Sequence, residues 1–241
     1  KALEDTFYAQ AKALIEGGVD VLLVETAQDI LEVKAAIAGF ERLFNDLGFR
    51  VPIQAQVTLD TSGRMLLGTD VASALVTLES LRVDVIGLNC STGPEHMREP
   101  IRYLTAHATR PISCIPNAGL PLNTGTGDAV YPLEPKPMAE MLGEFVAQFG
   151  VSIVGGCCGT TPEHLSEIVK AVRGARAAVR GANVAGRSLT PRTAHPAPSV
   201  SSAMRATTLR QDPPPLLIGE RVNSQGSRKV KRLLLADDYE G

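Results

Sequence analysis

Three cysteines carry the densest chemistry in this chain. Cys90 closes the apolar run Val83-Asp84-Val85-Ile86-Gly87-Leu88-Asn89, and the vicinal pair Cys157-Cys158 closes Val151-Ser152-Ile153-Val154-Gly155-Gly156. Thiolates are soft ligands that suit zinc. Three protein ligands leave a fourth position open, which separates a catalytic zinc site from a closed structural one. Adjacent side chains of a regular strand point to opposite faces, so Cys157 and Cys158 reach one metal only if the backbone bends. Gly155, Gly156 and Gly159 permit that bend. The competing reading is three small buried hydrophobes in tight glycine turns. A thiol entering the fourth position would lose its proton on coordination and become a nucleophile at neutral pH. The natural reaction of such a site is alkyl transfer to sulfur.

The elements that must position these residues follow from periodicity. Five apolar runs, 19–26, 51–59, 83–90, 111–117 and 151–158, read as buried parallel strands. Amphipathic stretches, such as 30–44 and 138–149, read as the helices between them. Gly17-Gly18 and Gly150 sit where helix C-caps would feed strands. This βα cadence predicts an α/β fold with a parallel sheet, in which the C-terminal strand ends share one face and gather the active site. Cys90, Cys157 and Cys158 all occupy such ends. Two architectures accommodate five units. One is a (β/α)8 TIM barrel, represented here by its last five βα units, with three units missing on the N-terminal side. The other is an open doubly wound sheet; no Gly-x-Gly-x-x-Gly turn follows the first strand, so a dinucleotide-binding version has no support. Cys114 falls inside a strand and reads as core. His96, His107, His164 and His195 share no ligand spacing and are not assigned to the metal.

Further along, residues 187–215 are rich in proline and serine and read as a linker. Leu216-Leu217-Ile218-Gly219-Glu220-Arg221-Val222-Asn223 then opens another strand. The expected organisation is a first domain over 1–186, a linker over 187–215, and the start of a second domain over 216–241. The chain opens on Lys1 inside a helical pattern, and reads as a piece of a longer polypeptide.

Composition narrows the function classes. With 241 residues and 44% apolar side chains, a sizeable core can form. A net charge of −2 gives no electrostatic footprint for nucleic acid. No apolar run is long enough to span a bilayer and no signal peptide is visible, so neither partner is expected. Four cysteines, two of them adjacent and lying in strand-like runs of a large α/β chain, fit a reducing, cytoplasmic setting better than a disulfide framework.

Three motifs carry a specific resemblance. Gly-Leu-Asn-Cys-Ser-Thr-Gly-Pro (87–94), Pro-Asn-Ala-Gly-Leu-Pro (116–121) and Val-Gly-Gly-Cys-Cys-Gly-Thr-Thr-Pro-Glu-His (154–164) resemble the homocysteine S-methyltransferase family over roughly 1–180, and most closely its cobalamin-dependent members. The resemblance implies a (β/α)8 barrel whose zinc is held by cysteines matching Cys90, Cys157 and Cys158, with homocysteine as a further ligand through sulfur. Glu25, at the end of the first strand, would hold the homocysteine ammonium group, the alternative being an exposed loop acid, and Asn117 would orient the amino acid or simply stabilise a turn. Asn89 would contact substrate or brace Cys90. Ile218-Gly219-Glu220-Arg221-Val222-Asn223 resembles the opening strand of a methyltetrahydrofolate-binding barrel, with Asn223 as a pterin contact. The implied reaction methylates homocysteine to methionine, the methyl group coming from methyltetrahydrofolate through cobalamin, with the cobalamin module outside this chain. Two other readings remain: a homocysteine S-methyltransferase that uses a sulfonium or betaine-like donor directly, and a non-catalytic zinc- or thiol-binding fragment.

Overall fold

The computed structural model describes residues 1–123, 125, 129–183 and 199–208, nearly all in one compact unit, Lys1–Thr207. The strand expected over 216–223 and its Asn223 lie outside the described residues, as does most of the expected linker. The helices are α1 (Ala2–Glu16), α2 (Ile30–Leu47), α3 (Val71–Ser80), α4 (Pro94–His107), α5 (Pro135–Glu144) and α6 (Pro162–Asn183). The main strands are β1 (Leu22–Ala27), β2 (Ile53–Val57), β3 (Val85–Asn89), β4 (Ile112–Ile115) and β7 (Ile153–Val154). Two short ribbons add β5 (Leu122–Asn123) with β6 (Ala129–Val130), and β8 (Ser199–Ser201) with β9 (Ala206–Thr208).

All five runs read from the sequence as strands form one parallel sheet, in the order β1-β2-β3-β4-β7. Each neighbour in space is also the next βα unit in the chain, as helical crossovers require. The fold is therefore α/β with a parallel sheet. The last strand is the largest departure. Residues 151–158 yield only Ile153 and Val154 in the ladder, because the chain leaves it at Gly155 to build the cysteine turn.

Local signals explain the helix ends. Asp29 caps α2, its Oδ1 accepting from Leu31 N at 2.9 Å, and left-handed Gly48 (φ 73°) ends it. Asp70 caps α3 by accepting from Ser73 N at 2.8 Å. Proline opens α4, α5 and α6, where a missing N–H costs nothing. The helix expected to run unbroken to residue 149 changes to a π-helical turn over Phe145–Phe149 before Gly150 (φ 78°) stops it. That turn stacks Phe145 on Phe149 at 5.4 Å between ring centroids.

Alternation divides the sheet into two chemistries. Leu22, Val24, Ile53, Ala55, Val57, Ile86, Leu88, Ile112 and Cys114 belong to the apolar core shared with the helices. The next residues along, Gln54, Gln56, Gly87 and Ser113, share the other face. There Gln56 Nε2 donates to Ser113 Oγ at 2.7 Å and Gln54 Nε2 does so at 3.3 Å. Gly87 is required at this point, since a Cβ would collide with the Ser113 side chain. Cys114 is fully buried, as a core cysteine should be, and burial pushes its thiol far up.

Within the proline- and serine-rich stretch, β8 and β9 form a small hairpin against α3. Thr77 Oγ1 lies 3.0 Å from Ser201 Oγ, and Thr69 Oγ1 donates to the Ala203 carbonyl. No helix among the described residues is long and apolar enough to cross a membrane.

Candidate metal centre

The three cysteines converge at the C-terminal ends of β3 and β7. Cys90 Sγ lies 3.8 Å from Cys158 Sγ, and Cys157 Sγ lies 3.9 Å from Cys158 Sγ. All three sulfurs fall within 4.8 Å of one another, the one group of metal-ligating character found among the described residues. Zinc–sulfur bonds of about 2.3 Å at tetrahedral angles place ligand sulfurs roughly 3.8 Å apart. The donor set and its spacing therefore fit a tetrahedral zinc with a fourth position open.

Backbone geometry makes this possible. Cys90 and Ser91 both adopt left-handed conformations, with φ of 63° and 65°. Each such residue costs about 1 kcal/mol relative to the right-handed region. The turn is held by Cys90 N donating to Ile115 O at 3.2 Å and Thr92 N donating to Cys90 O at 2.8 Å. On the other side, Cys157 N donates to Pro116 O at 2.8 Å, and Thr160 Oγ1 donates to Cys157 O at 2.7 Å. Of the three glycines expected to permit the bend, only Gly159 is left-handed (φ 77°). Gly156 instead makes room, since a Cβ there would strike the Thr160 side chain.

Asn89 and Asn117 are both buried, at 0% and 2% exposure, and both brace the centre. Asn89 Oδ1 accepts from Thr26 N at 2.7 Å, while Nδ2 donates to Thr26 Oγ1 at 2.8 Å and points at Cys157 Sγ, 3.9 Å away. Asn117 Oδ1 accepts from Cys158 N at 3.0 Å, and its own N–H donates to Thr92 O at 3.0 Å. Glu25 is placed differently. Its side chain is exposed, and lines a cleft of about 250 Å³ with Phe7, Leu14 and Phe40. It joins the centre only through its neighbour Thr26, outside the bonded network around the sulfurs.

The Cys157 thiol is pushed up to about 12, first by burial and then by the neighbouring sulfurs of Cys90 and Cys158. His164 takes no part in the cluster. Its Nε2 lies 2.8 Å from Leu133 O, and its Nδ1 accepts from Thr161 N at 3.2 Å, so the ring ties α6 to the segment after β6.

Two residues were not legible as site residues. Thr26 adopts φ 57°, rare for a β-branched side chain, and is the anchor of Asn89. Tyr131 packs on Gly159, where a Cβ would overlap its side chain, and its phenol pKa is raised by burial and then by the neighbouring Cys158 sulfur. Nothing in the periodicity marks either one. Tyr131 lies in an irregular stretch whose return to the strand ends is a tertiary event.

The homocysteine S-methyltransferase family model matches residues 1–172. The chain belongs to the homocysteine S-methyltransferase family. It is 43% identical over 240 residues to the methionine synthase of Mycobacterium leprae (strain TN), across 100% of this chain and 19% of that protein. Against the methionine synthase of Mycobacterium tuberculosis (strain ATCC 25618 / H37Rv) it is 43% identical over 238 residues, covering 99% of this chain and 19% of that one. The chain thus spans about a fifth of the length of these relatives. In structure it is similar to the homocysteine methyltransferase MmuM from Escherichia coli, oxidized form, with a TM-score of 0.54 at 22% identity over 69% of this chain and 52% of that one. The metallated form of the same enzyme gives 0.52 at 23% identity over 68% and 51%. These likenesses establish the α/β fold.

Proposed function

We propose that this homocysteine S-methyltransferase family chain holds zinc through Cys90, Cys157 and Cys158 and presents homocysteine to a methyl donor. The sulfur spacing of 3.8 and 3.9 Å is the observation that carries this reading. A zinc ion held there would supply an open position and the charge needed to keep an incoming thiol deprotonated at neutral pH. The chain's own residues do the rest. Asn117 and Thr160 hold the Cys157–Cys158 turn from its backbone, and Asn89 holds the β1 and β3 ends together. Glu25, one residue before the Asn89 anchor, receives the homocysteine ammonium as a charge-assisted partner. Asn117 steers the amino acid through the turn it braces.

The five-stranded parallel sheet is read as five consecutive units of a (β/α)8 barrel, with residues 1–186 the homocysteine domain and 187–215 the linker. Residues 216–241 begin a methyltetrahydrofolate-binding domain, in which Asn223 contacts the pterin. The product is methionine. The methyl group passes from methyltetrahydrofolate through cobalamin carried on another module of the parent polypeptide. The similarity to two methionine synthases along the whole chain supports this arrangement.

Zinc-edge X-ray absorption tests the central step. The zinc-loaded chain should show three sulfur ligands, and a fourth on adding homocysteine. A shell that gains no sulfur would rule out direct activation of the homocysteine thiol at this metal.

A further inference from the structure

Cys90 Sγ meets the other two sulfurs only because the chain turns sharply at Cys90 and Ser91, both left-handed. Neither residue is glycine, so the surroundings must impose that conformation. A peptide unit is planar, so the carbonyl of Asn89 and the N–H of Cys90 move together as one rigid plate. The direction of that plate decides where the Cys90 side chain leaves the strand.

The plate is held from both sides. On one side Cys90 N donates to Ile115 O, at the end of β4, at 3.2 Å. On the other, the regular pairing of β2 with β3 stops at Val57 and Leu88. Beyond it the Asn89 carbonyl accepts from the Thr58 hydroxyl at 2.9 Å. A side chain thus takes over where the backbone ladder ends. Thr58 is itself well fixed. It is 5% exposed, and its own N–H donates to Ala27 O at 2.9 Å, so it ties the end of β1 to the end of β3. Two substituents on its Cβ restrict χ1, which aims the hydroxyl with little freedom to lose. Thr58 holds the backbone of Asn89 while Thr26 holds its side chain.

We propose that Thr58 is a positioning residue of the metal centre: its hydroxyl sets the Asn89–Cys90 peptide, and through it keeps the Cys90 sulfur 3.8 Å from that of Cys158, the spacing a shared zinc requires. This rests on the zinc reading given above. Without the hydroxyl the Asn89 carbonyl is a buried acceptor lacking its donor, and the peptide turns to find another. Cys90 then loses its direction. Cys157 and Cys158 keep theirs, since Pro116 and Asn117 hold them from the other side. A share of the molecules is left with two ligand sulfurs in place of three.

The test measures zinc affinity by chelator competition on the chain and its variants. Cobalt(II) is bound in parallel, because the thiolate-to-cobalt charge-transfer band grows with the number of bound thiolates. An unaltered chain that binds no zinc would overturn the zinc reading and the inference with it. Thr58→Val keeps the shape and removes the donor. It should lower zinc affinity roughly tenfold, as losing a partner that orients a ligand does, and weaken the cobalt band. Thr58→Ser keeps the donor. Holding one of its three staggered χ1 wells costs at most about threefold, so its affinity should stay within that margin. Thr105→Val controls for a general loss of stability. It removes another buried hydroxyl, which donates to Ile101 O at 3.0 Å within α4, and should leave both metals bound as before. If Thr58→Val binds zinc as tightly as the unaltered chain, or if Thr105→Val weakens it equally, Thr58 does not position Cys90, while the zinc reading stands. Should Thr58→Val fail to fold, Thr58→Ser decides: a loss of roughly tenfold there, despite the retained hydroxyl, overturns the inference.

Discussion

Asn89→Ala should loosen the joint between β1 and β3 and weaken the metal centre with it. Asn89 is fully buried, and its amide makes two strong bonds to Thr26, at 2.7 Å from the backbone N–H and 2.8 Å to the hydroxyl. Each is worth about 1 kcal/mol net, and the orphaned Thr26 N–H adds part of its desolvation cost, so the expected loss is about 2–3 kcal/mol. For a chain of this size that corresponds to a fall of roughly 4–12 °C in the unfolding midpoint. Thr26 also loses the partner that holds it at φ 57°. The strand end then relaxes, and Cys157 loses the amide that faces its sulfur. Zinc affinity, measured by competition with a chromophoric chelator, should fall roughly 10–100-fold, as for other partners that orient metal ligands. Thr26→Gly is the control. Glycine adopts a positive φ without strain, so the lost hydroxyl bond is offset and the net change should stay within about 1 kcal/mol. Chemical denaturation of the metal-free chains reads stability, and chelator titration reads the metal. If Asn89→Ala unfolds within about 0.5 kcal/mol of the unaltered chain, the clamp between Asn89 and Thr26 is not what fixes these strand ends.

Other expectations follow from the same geometry. Replacing Cys90, Cys157 or Cys158 singly with alanine should lower zinc content sharply in elemental analysis, whereas Cys114→Ala should keep it, because Cys114 is buried away from the cluster beside Met97; equal losses in all four would refute the ligand assignment. The Cys157 thiol, at about 12 when folded and metal-free, lies above the ordinary thiol value. The folded state holds that proton more tightly, so its contribution to stability is full below the ordinary thiol range and is lost as pH rises from about 9 toward 12. The denaturation midpoint of the metal-free chain should drop over that window, and Cys157→Ala should flatten the drop. Glu25→Ala should weaken homocysteine binding by about 1.5–3 kcal/mol in calorimetry while leaving zinc in place, since one charge-assisted contact is lost; loss of zinc in this variant would place Glu25 in the metal centre instead.

Much of this was legible in the linear chain. Apolar runs bounded by glycine and proline are strong signals of buried parallel strands, and all five appear in the sheet. Cys90 and Cys157-Cys158 could be expected to converge because parallel strands with helical crossovers must carry their C-terminal ends to one face, and their three sulfurs do lie together. Helix C-caps are read from glycine's tolerance of a positive φ, so Gly17-Gly18 and Gly150 mark helix ends almost by themselves. The support around the metal was a different matter. Asn89 could be read equally as a substrate contact or as a brace, since an amide offers the same donors and acceptors to either. Only the packed structure engages it with Thr26, 63 residues away in sequence, and leaves it buried. Tyr131 packs on Gly159, next to the cysteine pair, because Gly159 lacks a side chain and because Leu133 is pinned from two other segments. The identity of a ligand depends on what its own atoms can do, which the sequence states outright. The identity of its partners depends on which distant surfaces exclude water together, and that is decided only when the chain packs.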